Sequence, residues 1–461
     1  MYQVRQFIIT KYRYRELCDY LDSYSVLACN LYNASLYRIR QIFTGFDKPV
    51  RTANETEVFT EVKLLETAYP SITVRRVVSY NHLEKLMRVT LNPDFFAGLP
   101  MQSAQAVVKS ACMNFLGWLK SLKDYKKHPD KYLGRPRMPR YKKSGGHISF
   151  TFSNQDAVIY PNGSHHELKL PKLKGFRFDI GNIPGDARLI ECKVKPYYGR
   201  YILSLTFETA DIPLDPDMPN IAGIDFGTHN IAAIVCTDRT SRLYKGGAIL
   251  SENQFFAKRR ASLVSMITHG HKSYCPMSKR LNNLSVSHDC FNRDQCHKIS
   301  CDIIRYCIEH RVGVLVLGVN KGQKQGLDMT HNNSQMFYAV PLFMLRQMIT
   351  YKAARAGIDV VVQEESYTSQ ADFTSSDYIP TYGVDDEKAI FSGHRTKRGL
   401  YKCHDGQFVN ADLNGAANIL RKAFPDAFGK VLDFGFLKYP EVSGFHELNP
   451  QRIPVKRIEA A

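Results

Sequence analysis

Ile221-Ala222-Gly223-Ile224-Asp225-Phe226-Gly227-Thr228-His229-Asn230 is the stretch on which the fold of this chain turns. The apolar run delivers one carboxylate, Asp225, to the rim of a sheet, and a glycine then turns the backbone. Ile231-Ala232-Ala233-Ile234-Val235 follows, apolar and partly β-branched, as a paired second strand would be. A carboxylate on a rigid strand end suits a hard divalent cation such as Mg²⁺, which takes oxygen ligands in strict geometry. An Asp capping a β-turn gives the same local pattern, so the rest of the chain has to decide.

Downstream the pattern is α/β. A long basic helical zone over about 252–310, containing Lys258-Arg259-Arg260, precedes an apolar strand at 312–318. A polar loop to about 335 leads to a helix from Pro341 to Ala356, with Gly357 placed as its C-cap, and to a strand at 358–363. Residues 364–410 read mostly as loop. Residues 412–423 read as a helix opened by the carboxylate of Asp412, and Gly415, Ala416 and Ala417 would let that helix pack close to a sheet. As a bare N-cap Asp412 would need no further explanation. Two-metal phosphodiester hydrolysis needs about three or four acidic ligands, and Asp225 and Asp412 are two candidates.

Upstream, residues 4–9 read as a strand and about 14–42 as a helix, with Leu17, Leu21, Leu27, Leu31 and Leu36 at helical intervals. Further helices are expected over about 78–90 and 101–124. Basic residues, aromatics and prolines alternate from Lys120 to Lys143, which suits an extended arm along a phosphate backbone as well as a solvated linker. Short β-rich runs spaced by turn residues fill 148–209, predicting a small antiparallel barrel or sheet that the strand at 4–9 could join. The proline-punctuated stretch 211–220 marks a boundary.

At 461 residues the chain has room for about two or three domains. Lys and Arg number 62 against 44 acidic residues, a formal charge of +18, which calls for a polyanionic partner. The 26 tyrosines and 26 phenylalanines are mostly core material, but beside so many cations some fit stacking on unpaired bases. No apolar run reaches membrane-span length and the N-terminus lacks a signal-peptide stretch, so the expectation is a soluble intracellular protein without a membrane role. The eleven cysteines form no regular framework and read as reduced thiols. Cys275, Cys290, Cys296, Cys301 and Cys307 cluster in sequence, yet no CxxC pair occurs.

Gly223-Ile224-Asp225-Phe226-Gly227-Thr228-His229-Asn230 and Asn410-Ala411-Asp412-Leu413-Asn414-Gly415-Ala416-Ala417-Asn418-Ile419 together resemble the split RuvC nuclease domain of TnpB proteins. These are transposon-encoded, RNA-guided DNA endonucleases related to Fanzor proteins and to compact type V CRISPR effectors. Residues 31–37, 99–109, His297-Lys298-Ile299-Ser300 and 391–401 are also similar to that family. The chain departs from the commonest pattern twice. The middle catalytic Glu usually ends the strand equivalent to 312–318, but here that strand ends Leu317-Gly318-Val319-Asn320. Glu364 and Glu365 follow the next strand instead, resembling the subset in which this Glu is relocated. The spacing to Thr368-Ser369 favours Glu365, with Glu364 as the alternate. The second departure is the zinc ribbon. Only Cys403 lies in 366–411, so no structural zinc is expected, and that insert is expected to be held by packing and by Ser366, Thr368, Arg395 and Arg398, or by nucleic acid.

The resemblance implies an α+β multidomain protein. A β-barrel wedge domain (1–12 and 145–215) would carry a helical recognition lobe with the basic arm (13–144). An RNase H-like (RuvC) α/β nuclease domain (221–461) would carry a target-loading insert at 366–411. It further implies Asp225, Glu365 and Asp412 as catalytic residues holding two Mg²⁺ ions, for which Mn²⁺ can substitute. Guide RNA derived from the transposon, and target DNA with a short flanking motif, would be the partners. Arg135, Arg137, Arg140, Lys142 and Lys143 are the nucleic-acid-binding candidates. Two other readings remain open: a nuclease-inactive RNA-guided repressor, and a DNA-strand transferase. The compartment implied is the bacterial cytoplasm, associated with the nucleoid, or the nucleus in a eukaryotic host.

Overall fold

The computed structural model describes residues 2–214, 217–269, 278–320, 340–375, 377–429 and 433–450. The polar loop expected up to about 335, and Cys275, lie outside the described residues. The chain divides into two compact units, Met1–Ala210 and Asp211–Ala461. Among the described residues no helix is long and apolar enough to cross a membrane.

In the first unit, strand β1 (Tyr2–Ile9) is followed by four helices: α1 (Arg15–Gly45), α2 (Ala53–Ala68), α3 (Tyr80–Val89) and α4 (Met101–Lys127). Strands β2 (Phe150–Ser153), β3 (Val158–Asn162), β4 (His165–Lys169), β5 (Phe178–Gly181), β6 (Arg188–Tyr197) and β7 (Arg200–Glu208) come after them. β1 pairs antiparallel with β7 from Tyr2↔Glu208 to Ile9↔Tyr201, so the helices are an insertion between strands of one sheet. That sheet has the order β1-β7-β6-β2, and β3-β4-β5 form a second one. Helices and sheets share a core in which Leu17, Leu21, Leu36, Val108 and Phe115 meet Phe150, Phe152, Leu203 and Leu205.

Helix α2 is absent from the sequence reading. Its buried apolar residues are only Val58, Val62 and Leu65, a narrow stripe in a polar segment. The signal that could have found it is Thr52-Ala53-Asn54-Glu55. The Thr52 N–H donates to Glu55 Oε2 (2.9 Å) and the Glu55 N–H to Thr52 Oγ1 (3.3 Å), a capping box that satisfies two donors at once.

The second unit is built on β8 (Asn220–Asp225), β9 (Asn230–Cys236), β10 (Ser241–Lys245), β11 (Val312–Val319), β12 (Asp359–Glu364) and β16 (Glu441–Ser443), in the order β12-β11-β8-β9-β10-β16. β8, β9 and β10 form an antiparallel meander, and β11 and β12 add on in parallel beyond β8. The long basic zone consists of two helices, α5 (Gly247–Thr268) and α6 (Lys279–Glu309). Helix α7 (Leu342–Arg355) links β11 to β12, and Gly357 just beyond it takes a left-handed φ of +69°. The segment read as loop holds three short strands, β13 (His394–Lys397), β14 (Leu400–Lys402) and β15 (Phe408–Asn410), ahead of helix α8 (Ala411–Ala423).

Period-2 alternation sorts the sheet's residues between two layers. Ala222, Ile224, Leu315 and Leu317 pack with Ile303 and Cys307 of α6 and Leu345 and Ile349 of α7. Ala233, Val235 and Leu243 share a separate core with Leu413, Ala416 and Ala417 of α8. A Cβ on Gly223 would meet Ala416 O at 2.6 Å and Leu420 Cβ at 2.8 Å. The glycine before Asp225 therefore lets α8 lie directly on β8.

Candidate active site

Asp225 is the last residue of β8 and lies opposite Ala233 of β9. Its carboxylate is pressed against α8, since a Cβ on Gly415 would sit 2.8 Å from Asp225 Oδ2. Asp412 is in the first turn of the same helix, three residues earlier. It is not the helix cap. Asn410 takes that role, its Oδ1 accepting from the N–H groups of Asp412 (3.0 Å) and Leu413 (3.1 Å). The helix expected to open at a carboxylate thus opens at an amide, which leaves the Asp412 carboxylate available to other groups. Asn230 Nδ2 donates to Asp412 Oδ2 (2.7 Å), and Lys245 Nζ donates to Asn230 Oδ1 (3.0 Å). Arg395 Nη2 lies 3.4 Å from Asp412 Oδ1.

The two glutamates after β12 point to different partners. Glu364 pairs with Val319 across the β11–β12 ladder and bonds Lys422 Nζ of α8 at 2.7 Å. It also accepts from the Ser366 N–H (2.7 Å) and hydroxyl. Burial pushes its carboxyl up, but Lys422 and Ser366 together outweigh this and hold it below the ordinary range. Glu365 has the opposite character. Burial is the main cause that raises it to about 7, with Glu364 adding to the rise and Arg346 opposing it. Asp225 goes further, to about 8, through burial first and then the charges of Glu365 and Asp412, against the opposing Arg395. Although Asp225 as a residue keeps some exposed area, its carboxyl group is enclosed. Asp225, Glu365 and Asp412 are therefore brought together electrostatically, while Glu364 is held by Lys422.

Asp225 and Asp412 line an open cleft of about 430 Å³ with Thr228, His229, Asn230, Arg395 and Arg398. Glu365 is not part of its lining. The cleft brings the carboxylates of Asp225 and Asp412 together with the guanidinium groups of Arg395 and Arg398, a charge mix suited to a cation and a phosphate. An all-oxygen donor set with two carboxyls pushed toward neutrality also suits a hard divalent cation, whose charge would reverse both shifts. Among the described residues, no three His, Cys, Asp or Glu side chains stand close enough to hold an ion as they are, so a full ligand set requires the carboxylates to draw together.

Two of the four residues expected to hold the insert face elsewhere. Arg395 reaches Asp412 and Arg398 lines the cleft. Two aspartates that the sequence reading passed over hold it instead. Asp372, fully buried, accepts from the N–H groups of Thr374 (2.9 Å) and His404 (2.7 Å). Asp377 accepts from the N–H groups of Asp372 and Ser392, both at 2.9 Å. Short carboxylates bonding main-chain N–H groups shape turns, and the run Asp372-Phe373-Thr374-Ser375-Ser376-Asp377 carried that signal. Cys403 is buried beside this network, its thiol pushed up to about 11 by burial first.

The five basic candidates belong to the first unit. Arg135, Arg137, Arg140, Lys142 and Lys143 are all exposed, on a stretch without regular structure. The main chain beneath them is nonetheless tied down. Asn33 of α1 accepts from the Lys142 N–H (2.8 Å) and donates to Lys142 O (3.0 Å), and Trp118 Nε1 donates to Pro136 O (3.2 Å). Arg40 lies over the Tyr141 ring at 4.8 Å.

Residues 204–323, which include Asp225, match a family model described as "Probable transposase". Residues 343–419, which include Glu365 and Asp412, match one described as "Cas12f1-like, TNB domain". The chain is similar to the CRISPR-associated endodeoxyribonuclease Cas12f2 of a Micrarchaeota archaeon, 24% identical over 48% of this chain and 40% of that protein. It is also similar to the TnpB-like protein ORF457 of Acidianus two-tailed virus, 27% identical over 45% of this chain and 43% of that protein. The chain thus matches less than half the length of these relatives. A cryo-EM structure of a Cas12f1–sgRNA–target DNA complex shares the fold, with a TM-score of 0.51 at 16% identity over 87% of this chain and 82% of that one.

Proposed function

We propose that this chain, a relative of the TnpB and Cas12f proteins, is an RNA-guided DNA endonuclease of a transposable element that hydrolyses phosphodiester bonds in guide-complementary DNA. The observation that carries the reading is the crowding of Asp225, where burial, Glu365 and Asp412 together raise the carboxyl to about 8. A carboxyl shifted by burial together with specific like-charged neighbours in a cleft marks a candidate functional site. The names of the relatives, an endodeoxyribonuclease and a TnpB-like protein, point the same way.

Asp225, Glu365 and Asp412 would hold Mg²⁺. Bound there, it would supply a hydroxide at neutral pH and offset charge on the leaving oxygen. The chain's own residues do the positioning. Asn230 fixes one oxygen of Asp412, and Lys245 fixes Asn230. Arg395 and Arg398 line the same cleft as Asp225 and Asp412, and could hold the phosphate of an entering strand. Guide RNA and target DNA are the proposed partners, with base pairing reading sequence and the protein reading a short flanking motif. The exposed cations of the arm would contact phosphates without reading bases.

The test is Mg²⁺-dependent cleavage of a guide-matched plasmid library with a randomised flank, comparing the parent chain with Asp225→Ala, Glu364→Ala and Glu365→Ala. Cutting abolished in the first and third variants and kept in Glu364→Ala is the expected result. A parent chain that binds the target and leaves it intact would replace the nuclease with an RNA-guided repressor.

A further inference from the structure

Strand β11 ends without a carboxylate, and its geometry there shows what has taken the space. Gly318 pairs with Gln363 of β12, two residues before Glu365, and is buried. A Cβ on Gly318 would come within 2.8 Å of Glu365 Oε2 and 2.5 Å of Ile419 Cδ1, with Ile224 O at 3.2 Å. The carboxylate that arrives from β12 thus occupies the volume that a side chain on β11 would enter.

The route by which Glu365 gets there is fixed by α8. Lys422 draws Glu364 aside and also donates to Ser366 O (3.1 Å) and Pro380 O (2.9 Å). Thr368 Oγ1 donates to Glu365 O (2.8 Å), closing the turn. Asn418 Nδ2 donates to Thr368 O (2.9 Å) and Ala371 O (2.7 Å), and Asn414 Nδ2 also donates to Ala371 O (2.8 Å). The main chain on both sides of Glu365 is held by the helix that carries Asp412.

We propose that Gly318 is a positioning residue, its missing side chain leaving the space that the Glu365 carboxylate fills. The proposal rests on the metal-binding part of the nuclease reading and not on cleavage. Its physical basis is an asymmetry of costs. Pushing aside the tip of a glutamate costs the fold little, because the side chain has other rotamers. It costs the site much, because ligand groups must hold their place to a fraction of an ångström.

A simpler role for Gly318, as space for helix packing, predicts a clash with Ile419 alone. Ile419→Val removes the Cδ1 atom and separates the two. In the full chain, Mn²⁺ binding would be followed by the electron paramagnetic resonance of the free ion, beside thermal melts and target cleavage. Ile419→Val should bind Mn²⁺ as the parent does. Gly318→Ala/Ile419→Val should melt with Ile419→Val yet bind Mn²⁺ about 10- to 100-fold more weakly, the usual cost of disturbing a ligand's support.

Unchanged Mn²⁺ binding in Gly318→Ala/Ile419→Val would overturn the proposal, as would a parent chain with no Mn²⁺ site that Asp225→Ala removes. A parent chain that binds Mn²⁺ through these residues but cuts no guide-matched DNA would sink the nuclease reading and leave the seat at Gly318 standing.

Discussion

Five cations of the arm stand in solvent on a main chain pinned to α1, whereas burial raises Asp225 and Glu365 of the second unit, with Glu365 and Asp412 adding to the rise in Asp225 and Glu364 to that in Glu365. The two regions manage charge in opposite ways because they face different demands. A surface that meets a polyanion gains from each exposed cation separately, and no single one is decisive. A site that must place one phosphorus atom needs its charges fixed, close and few, and so carries their repulsion as a standing cost. Substitutions should therefore act additively in the arm and all-or-none in the cleft.

The largest effect should come from the cleft. Asp225→Ala or Glu365→Gln should each lower single-turnover cleavage by about four orders of magnitude while leaving target binding intact, and the double variant should be no worse than either alone. A double variant whose losses multiply would break the contrast. Glu364→Gln should cost about tenfold or less, since its partner is Lys422 and it acts only through the turn it shapes. Next comes the arm. If about eight phosphates are gripped, affinity should fall with salt at a log–log slope of about −7, and each Ala at Arg135, Arg137, Arg140, Lys142 or Lys143 should make it shallower by about 1. One arm residue abolishing binding by itself would mean base readout instead.

The smallest effect belongs to Asp238. Burial pushes its carboxyl up, but hydrogen bonds from Thr240, Cys236 and His310 outweigh that and hold it below the ordinary range. A group whose folded-state pKa is lowered contributes stability above its unfolded value, near 3.9, and loses it as pH falls through the folded value. Asp238→Asn should cost about 1 kcal/mol at neutral pH, a figure reduced for partial exposure, and the gap should close in melts as pH falls below the ordinary carboxylate range. A gap that persists in acid would show that the amide fails for reasons of shape.

Most of the second unit's frame was legible because its signals are local. The apolar runs at 221–224, 231–235 and 312–318 each announce a strand, and the glycines beside Asp225 and Asp412 announce close packing. What stayed hidden depends on partners far away in sequence. The spacing to Thr368-Ser369 favours Glu365 without showing why; the separation is made by Ser366, by Lys422, 58 positions from Glu364, and by the space above Gly318. Strands β13 to β15 were missed because they are only three or four residues long, too short to show alternation, and β13 is exposed throughout. Helix α2 was missed for a different reason, a narrow apolar stripe, although its capping box stood in plain view.

The pairing of Asn33 with Lys142 has a consequence for how this protein can change. Asn33 meets the N–H and C=O of residue 142 and never its side chain, and Trp118 likewise meets only a carbonyl. The arm is thus moored by atoms that nearly every amino acid possesses. Its lysines and arginines are free to be exchanged, shifted or lost without unmooring it, and the same scaffold could follow a differently shaped polyanion after a handful of replacements. The moorings have no such freedom. Deep mutational scanning should find residues 135–143 permissive for folding and Asn33 strict, a rigid rail with interchangeable fittings.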